Sequence, residues 1–319
     1  MLFNFTPLDL ITYRTALALH FMDSVTGAAV ADNLRLRAWA FDPTAPQAAR
    51  RVDEAEKSQR SGIYGFRSLP GLEGYQIGDD LPADSLAFIV LVEDRLGRYL
   101  PQVRRYNLPL AQPAVQPIAL FPAPDKATPT GYAAVRAQLL RTTAPAGGPP
   151  PEVTVVAPAR WAQVVLTIPP SSPGDPPSTF TGQADSHGAV VIMPPWPLIA
   201  DGVLLNEATW SISTTVRHQP PTQNADYALL RQILPDLLPR DRPHHYFPPI
   251  QATLDGQQTA TLFGAVSIVD PEAQIYQIVG PANQTELDFD LSFGRPLTLR
   301  TQVDGDPDHP LSELLIQSA

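Results

Sequence analysis

The stretch LAFIVLVEDRLGRYLPQVRR, residues 86–105, is the part of the sequence that decides the fold class. Residues 86–93 form a continuous apolar run of strand length, rich in β-branched and aromatic side chains. Residues 94–97, Asp-Arg-Leu-Gly, have the composition of a tight turn, and residues 98–105 read as a second strand. The stretch therefore predicts two strands joined by a short turn.

Proline is the outlier in the composition. The chain has 37 prolines in 319 residues, about 12% against a usual ~5%. Because proline lacks an N–H and disrupts helix interiors, long helices have few places to form. Only residues 224–239 and 45–59 leave room for one. The composition therefore predicts an all-β fold with long ordered connections.

Working outward from residues 86–105, the other predicted strands are short and are bounded by turn signals. In the first half they are 15–21, 34–41, 61–71 and 115–121, with the polar segment 42–61 as a loop or short helix. In the second half they are 133–140, 162–168, 179–184, 189–193 and 209–217. Two units of about 100 residues, with turns about every 8–15 residues, are typical of two β-sandwiches.

Residues 34–41, LRLRAWAF, alternate in a way that assigns faces to the strand. Leu34, Leu36 and Ala38 fall on the presumed core face, and Trp39 falls on the other. Because Trp, Arg and Tyr are favoured at the centres of interfaces, Trp39 is predicted as an interface side chain. The further candidates of this kind are Arg104, Arg105 and Tyr106. Tyr64 and Phe66 are instead predicted to pack in the core.

The composition also excludes several classes of function. The chain has no cysteine and a net charge of −10, so disulfides and thiolate metal sites are excluded and a nucleic-acid-binding role is not expected. No apolar run approaches the roughly 20 residues that span a bilayer. The first residues lack the pattern of a secretory signal. We expect a soluble, cytoplasmic protein.

Four segments follow from these patterns. They are an apolar extended arm (1–13), a first β-sandwich (14–122), a second β-sandwich (123–219) and a proline-rich, partly β C-terminal extension (220–319). The extension carries strand-like stretches at 258–269, 275–279, 287–293 and 297–303. The sequence leaves three alternatives for them: a small third β unit, strands that complete the second sandwich, or strands added to a neighbouring subunit.

Three stretches carry a resemblance to a known family. Residues 23–30 (DSVTGAAV) resemble its D-x-x-T-G-x-P-V turn, residues 61–71 (SGIYGFRSLPG) its G-x-Y-x-F-x-x-L-P-G hairpin, and residues 182–188 (GQADSHG) its T-D-x-x-G turn. The chain thus resembles the carboxypeptidase-regulatory, or transthyretin-like (prealbumin-like), β-sandwich family over roughly residues 14–217. The resemblance implies two tandem sandwiches of that fold. It also implies structural turn roles for Asp23, Gly27, Gly62, Gly65, Gly71, Asp185 and Gly188.

A fuller pattern in the first half is similar to an accessory protein of phage-tail-like contractile injection systems. Its residues are 60–66 (RSGIYGF), 69–75 (LPGLEGY), 92–110 (VEDRLGRYLPQVRRYNLPL) and 120–124 (LFPAP). The resemblance implies a structural subunit at the cap or the baseplate of a contractile particle, in contact with sheath, tube, cap or baseplate proteins. Closed rings are common among homo-oligomers, so a ring of copies is expected.

Candidate chemistry is sparse, and we expect neither an enzyme nor a cofactor or metal site. His244 and His245 lie near Asp236 and Asp241, but adjacent histidines rarely share one metal. Residues 304–308 alternate carboxylates like a calcium loop, yet lack its glycine and its final glutamate. No nucleotide-binding, zinc-protease or serine-hydrolase motif is present. Two other hypotheses stay open: a binding module for a carbohydrate or cell-surface ligand, and an enzyme of transthyretin-like fold.

Overall fold

The structure is a computed structural model. It describes residues 15–40, 53–67, 69–72, 86–108, 115–143, 154–160, 162–170, 176–197, 204, 208–218, 251–254, 257–260, 272–275, 286–301 and 314–317. All regular secondary structure within these ranges is β-strand, and the strands are organised in several sheets. The predicted all-β class is confirmed for this part of the chain.

Eight strands build the first unit. They are β1 (Leu17–Asp23), β2 (Leu34–Ala40), β3 (Asp53–Glu54), β4 (Glu56–Lys57), β5 (Tyr64–Phe66), β6 (Leu86–Asp94), β7 (Gln102–Leu108) and β8 (Gln116–Leu120). One four-stranded sheet has the order β4-β5-β1-β8, and a second has the order β3-β2-β6-β7. Strands β1 and β8 are parallel, and the other pairs are antiparallel.

The first core is formed by alternate residues of these strands. In β1 the buried positions are Leu17, Leu19, Phe21 and Asp23, and the residues between them are partly exposed. Phe21 meets Tyr64 edge-to-face, with ring centroids 5.7 Å apart. Each large apolar side chain buried in this way contributes about 1.5–3 kcal/mol.

The strand directions give the first unit two unlike ends. At one end, which we call the linker end, β1, β6 and β8 finish and β2 and β7 begin. Its connections are held by backbone hydrogen bonds: Val30 donates to Phe21 (2.8 Å), Ser24 to Leu120 (3.1 Å) and Arg95 to Asn33 (2.8 Å). At the opposite end, which we call the arm end, the chain segments 1–14, 41–52, 73–85 and 109–114 join the strands.

Ten strands build the second unit. They are β9 (Val135–Thr143), β10 (Thr154–Pro158), β11 (Gln163–Ile168), β12 (Ser178–Gln183), β13 (Ala189–Ile192), β14 (Thr209–Arg217), β17 (Glu272–Ile275), β18 (Glu286–Ser292), β19 (Leu297–Leu299) and β20 (Leu314–Gln317). Between β14 and β17, strands β15 (Gln251–Leu254) and β16 (Gln257–Ala260) pair only with each other among the described strands.

Two long strands organise the second unit. Strand β14 pairs with β11, β17 and β18, and β9 pairs with β10, β13, β19 and β20. Strand β17 also pairs with β20, which links the β14 side of the sheet to the β9 side. Strands β17 to β20 all come from the C-terminal extension. These strands pair with β14 and β9 of the same chain, as expected for the alternative in which the extension completes the second unit.

The C-terminal strands also supply core side chains. Leu291, Leu299, Leu314 and Ile316 are all fully buried in the same cluster as Leu139, Leu166 and Ile212. Strands β9 to β14 thus share one hydrophobic core with residues that follow them in the chain by about 70 residues or more. The core is built largely from non-local contacts.

Some predicted elements differ from the structure. Residues 53–54 and 56–57 lie in strands β3 and β4, where the sequence predicts a loop or short helix. These strands have two residues each and are charged, so they carry no apolar alternation. Strand β7 begins at Gln102 instead of residue 98, because the turn after β6 extends to Pro101. Strands β10 and β20 were not predicted. The helix predicted at 224–239 lies outside the described residues.

Candidate functional site

A buried polar cluster lies at the linker end of the first unit. Asp23, the last residue of β1, is 6% exposed. Its Oδ2 accepts hydrogen bonds from Lys126 Nζ at 2.6 Å and from the Tyr99 hydroxyl at 2.9 Å. Its Oδ1 accepts one from the Val25 N–H at 2.8 Å. The carboxylate is therefore fully occupied by three donors, of which one is a charged amine.

The cluster fastens the chain segment that leaves the first unit. Lys126 belongs to residues 121–134, which we call the linker, and its ammonium lies 4.1 Å from the centre of the Tyr99 ring. The backbone before it is also paired: Leu100 donates to Phe121 at 2.9 Å, and Ala123 donates to Arg98 at 2.9 Å. The ion pair, the cation–π contact and the backbone bonds act together to hold the linker.

The charges in the cluster fix its protonation state. Burial alone would raise the pKa of Asp23, but the bonds from Lys126, Val25 and Tyr99 outweigh it and hold that pKa below the usual value. Burial and the neighbouring Asp23 carboxylate raise the pKa of Tyr99 well above its usual value. At neutral pH Asp23 is therefore an ionised carboxylate and Tyr99 a neutral hydroxyl. A cluster whose hydrogen-bonding groups are all occupied in this way is suited to fixing the position of the linker.

The other end of the linker is attached to the second unit. Ala133 donates to Pro194 at 2.8 Å, and Trp196 donates to Gly131 at 3.0 Å. Trp196 also lies in an aromatic cluster, with ring centroids 5.0 Å from Phe293 and 6.0 Å from Trp210. These partly buried rings bring Phe293 to two tryptophans that precede it by more than 80 residues, so no local sequence signal could have found the cluster.

The turn residues taken from the resemblance occupy structural positions. Positive φ angles occur at Gly27, Gly62, Gly71 and Gly188. Gly65 instead lies in β5, where an added Cβ would come within 2.7 Å of the Thr15 methyl. In the turn before β13, Asp185 Oδ1 accepts from the N–H groups of His187 (2.7 Å) and Ala189 (2.9 Å).

Two of these glycines provide a matched test of backbone crowding. Gly27→Ala, with φ of 69° and nothing near the new Cβ, is expected to cost about 1–2 kcal/mol. Gly188→Ala, with φ of 81° and the Leu139 carbonyl oxygen 2.3 Å from the new Cβ, is expected to cost about 2–4 kcal/mol. Urea unfolding of both variants measures the difference. Equal losses would mean that the β9 backbone yields freely at Gly188.

The predicted interface residue Trp39 is less accessible than the sequence suggests. Trp39 lies on the β2 face opposite Leu36 and Ala38, yet it is 1% exposed. Its register partner Ile89 is 0% exposed, and neither belongs to the two core clusters. A side chain this deeply buried offers no surface to a partner. Alternation predicts the face a residue occupies, but not what covers that face.

The other three candidates lie on the edge strand β7. In the register of the sheet, Tyr106 is opposite Phe88 and Arg104 is opposite Val90, which places both on the core face. They are hydrogen bonded to each other, and burial lowers the pKa of Arg104 and raises that of Tyr106. Arg105 is paired with Ile89 in the backbone register. Arg104 and Tyr106 therefore contribute to the interior edge of the sandwich.

His218 gives the second unit a pH dependence. It is 2% exposed, and burial, aided by the positive charge of Arg141, lowers its pKa from 6.5 to about 4. Between these values the unfolded chain binds a proton that the folded chain does not. The free energy of unfolding therefore does not depend on His218 above pH 6.5, and it is expected to fall by about 3 kcal/mol on acidification to pH 4. Urea unfolding across this range should show a flatter profile for His218→Gln; an unchanged slope would contradict the assignment.

Within the described residues the structure has neither a candidate metal site nor a candidate membrane-spanning helix. There, no group of three or more His, Cys, Asp or Glu side chains could hold a metal ion. The stretch with His244 and His245 and the acidic residues 304–308 lie outside them. In the same ranges no helix has the length and hydropathy needed to cross a membrane.

Comparisons with known proteins identify no relative. No protein-family model matches the chain, and no curated protein matches it. Among solved structures, the chain is similar to a leucine-rich repeat protein from Bacteroides thetaiotaomicron, with 11% identity and a TM-score of 0.17, over 64% of this chain and 22% of that one. At this TM-score the likeness carries no argument about fold or function.

Proposed function

We propose that this protein is a non-enzymatic structural subunit of a phage-tail-like contractile injection particle, located at its cap or baseplate. The proposal starts from the sequence patterns at 60–75, 92–110 and 120–124, which resemble an accessory protein of such systems. It includes a transthyretin-like sandwich as the fold of the first unit. The two four-stranded sheets around one core support that fold.

The observation that carries the proposal is the structural difference between the linker end and the arm end of the first unit. The linker end is held by short turns and by the ion pair of Lys126 with Asp23, at 2.6 Å. The segments 1–14, 41–52, 73–85 and 109–114 all join the strands at the opposite end. A scaffold that fixes one end and leaves the connections at the other end for contacts suits a protein that docks between neighbours.

The polar cluster supports a structural role for the same end. The three hydrogen bonds that the Asp23 carboxylate accepts, from Lys126, Tyr99 and Val25, position the linker and the adjoining turn. The ionised form of Asp23 is stabilised by these donors, as its lowered pKa indicates. A group committed in this way contributes to rigidity, which an assembly subunit requires in order to transmit position between partners.

The direct test is mass spectrometry of intact particles purified from the native host. Peptides of this chain are expected to remain with sheath and tube proteins through density-gradient separation. A host strain that lacks the gene should produce particles with a defective cap or baseplate in electron micrographs. Normal particles without this chain would overturn the proposal, as would the absence of sheath, tube and baseplate genes beside its own.

A second candidate function is a binding module for a carbohydrate or a cell-surface ligand. The observation that favours it is the partly buried cluster of Trp196, Trp210 and Phe293, with centroids 5.0–6.5 Å apart. Aromatic rings are frequent anchors in recognition sites. A glycan array on the whole chain, with Trp210→Ala as the comparison, tests it. Glycan binding that Trp210→Ala abolishes would favour this function over the structural one.

A further inference from the structure

Arg104, on the edge strand β7, carries a charge that no carboxylate among the described residues neutralises. Its guanidinium donates hydrogen bonds to two neutral groups, the Tyr106 hydroxyl and, at 3.4 Å, the side-chain oxygen of Gln102. Its Nε atom is buried and has no hydrogen-bond partner in the described part of the chain. A buried charge that only neutral groups contact is costly, so the arrangement indicates a place for an anion.

Other arginines of the first unit have the counter-ion that Arg104 lacks. Even Arg37, whose side chain is only 12% exposed, lies 2.8 Å from the carboxylate of Glu93. The others are fully or partly exposed and are paired at 2.5–3.0 Å: Arg35 with Glu54, Arg67 with Glu56 and Arg98 with Asp94. The first unit therefore supplies carboxylates to its arginines, and Arg104 is an exception within it.

The three polar side chains around this charge are held in a row. Gln102, Arg104 and Tyr106 are alternate residues of β7 and lie on its core face. Gln102 is 2% exposed, and its Nε2 donates to the Ala119 carbonyl oxygen on β8 at 2.8 Å. The amide is thereby oriented with its oxygen toward Arg104. The row is fixed before any ligand arrives, which lowers the cost of binding.

The row lies at one side of the first sandwich. Strands β7 and β8 are edge strands of their two sheets, and the bond from Gln102 to Ala119 joins them near the linker end. Arg104 and Tyr106 follow Gln102 along β7, farther from that bond, and both are partly exposed. A group that approaches between the two edge strands can therefore reach the guanidinium.

The donors determine the class of ligand. A guanidinium presents N–H donors in a planar fork that matches the two oxygens of a carboxylate. The Tyr106 hydroxyl accepts a bond from Arg104 and can donate its own hydrogen to a further acceptor. Burial raises the pKa of Tyr106, so this hydroxyl is neutral at neutral pH. The row carries one positive charge, which a carboxylate neutralises fully, whereas a phosphate dianion leaves an excess of negative charge.

We propose that Gln102, Arg104 and Tyr106 form a carboxylate-binding site at the β7 edge of the first unit. Arg104 binds the two oxygens through Nε and one Nη, Tyr106 donates to one of them, and Gln102 holds the guanidinium in position. The carboxylate belongs either to a small free molecule or to an acidic side chain of a neighbouring protein, since both present the same group.

NMR of the arginine Nε–H groups in the full, nitrogen-15-labelled chain tests the site. Sodium formate is expected to shift the Arg104 resonance saturably, with a response to sodium chloride that is about tenfold weaker. Arg104→Lys identifies the resonance by its loss. Arg98 is the internal control: its Nε already donates to Asp94 at 3.0 Å, so its resonance should not move. No shift at Arg104, or equal shifts with formate and chloride, would overturn the proposal, as would tighter binding of sodium phosphate.

Thermal unfolding gives a second measurement. Arg104→Met is expected to leave the midpoint in chloride unchanged or to raise it, because an uncompensated buried charge is replaced by an apolar side chain. At equal ionic strength, sodium formate should raise the midpoint of the natural chain more than that of Arg104→Met. Arg98→Met is the matched control: it loses the pair with Asp94, so its midpoint should fall, but its response to formate should remain. Equal responses of natural chain and Arg104→Met would contradict the site.

The same variants distinguish the two sources of the carboxylate. A small carboxylate released when the chain purified from its native host is denatured indicates a free ligand. Loss of Arg104→Met, but not of Arg98→Met, from the purified particles indicates an acidic side chain of a neighbour. Formate binding by the isolated chain does not depend on the particles, so failure of the site and failure of the proposed function are distinguishable.

Discussion

Removing residues 220–319 is expected to abolish folding of the second unit while the first unit stays folded. The truncation deletes β17 to β20 and thereby uncovers β14 on one side and β9 on the other. It also removes buried side chains from the core, among them Leu291, Leu299 and Ile316. Loss of one such side chain costs about 2–5 kcal/mol, and whole domains are stable by only about 5–15 kcal/mol. The loss of several exceeds what the remaining strands can supply.

Limited proteolysis followed by mass spectrometry measures this outcome. In the truncated chain, a resistant fragment should end near the linker, whereas the full chain should also protect residues 123–218. Leu291→Ala is a milder version, with an expected loss of about 2–5 kcal/mol. Thr209→Ala, at an exposed position of β14, is its control and should change stability by less than about 0.5 kcal/mol. A stable, resistant fragment from the truncated chain would contradict the role of the tail strands.

The sequence predicts single strands well and their partners poorly. Strand β14 was predicted with the bounds that the structure has, because its residues alternate and lie between clear breaks. Nothing in that stretch indicates that Trp210 pairs opposite Leu291, about eighty residues later. Pairing across such distances depends on the whole fold. Strands β3, β4 and β20 are also too short for alternation to develop.

In the candidate site, too, the sequence predicts local features but not contacts between distant residues. Asp23 and Gly27 were predicted as turn residues, because a local motif carries them. The partners of Asp23 were not predicted, because Tyr99 is 76 residues away and Lys126 is 103 residues away. From sequence alone, a lysine in a proline-rich linker is expected to be exposed to solvent. Only the fold places its ammonium on a buried carboxylate, and the functional meaning of the linker depends on that contact.

Asp23→Asn is expected to destabilise the first unit by about 3–5 kcal/mol, because it leaves the Lys126 ammonium without its counter-charge in a site where both groups are largely buried. The side chains of Lys126 and Asp23 are 13% and 8% exposed. Asp185→Asn is the control: its Oδ1 also accepts two backbone N–H bonds in a turn. Within the described part of the chain no lysine or arginine forms an ion pair with Asp185, so a loss of about 1 kcal/mol is expected.

The pH dependence of the Asp23 variant separates charge from shape. The folded-state pKa of Asp23 lies below its ordinary value of 3.8, so the stabilisation is present above that value and is lost as pH falls through the folded pKa. The stability difference between natural chain and variant should therefore persist from pH 7 to 5 and shrink in stronger acid. Amide exchange at Ala123, whose N–H bonds to Arg98, should accelerate in the variant as the linker opens. If Asp185→Asn were equally destabilising, or exchange at Ala123 were unchanged, the ion pair would not be what holds the linker to the first unit.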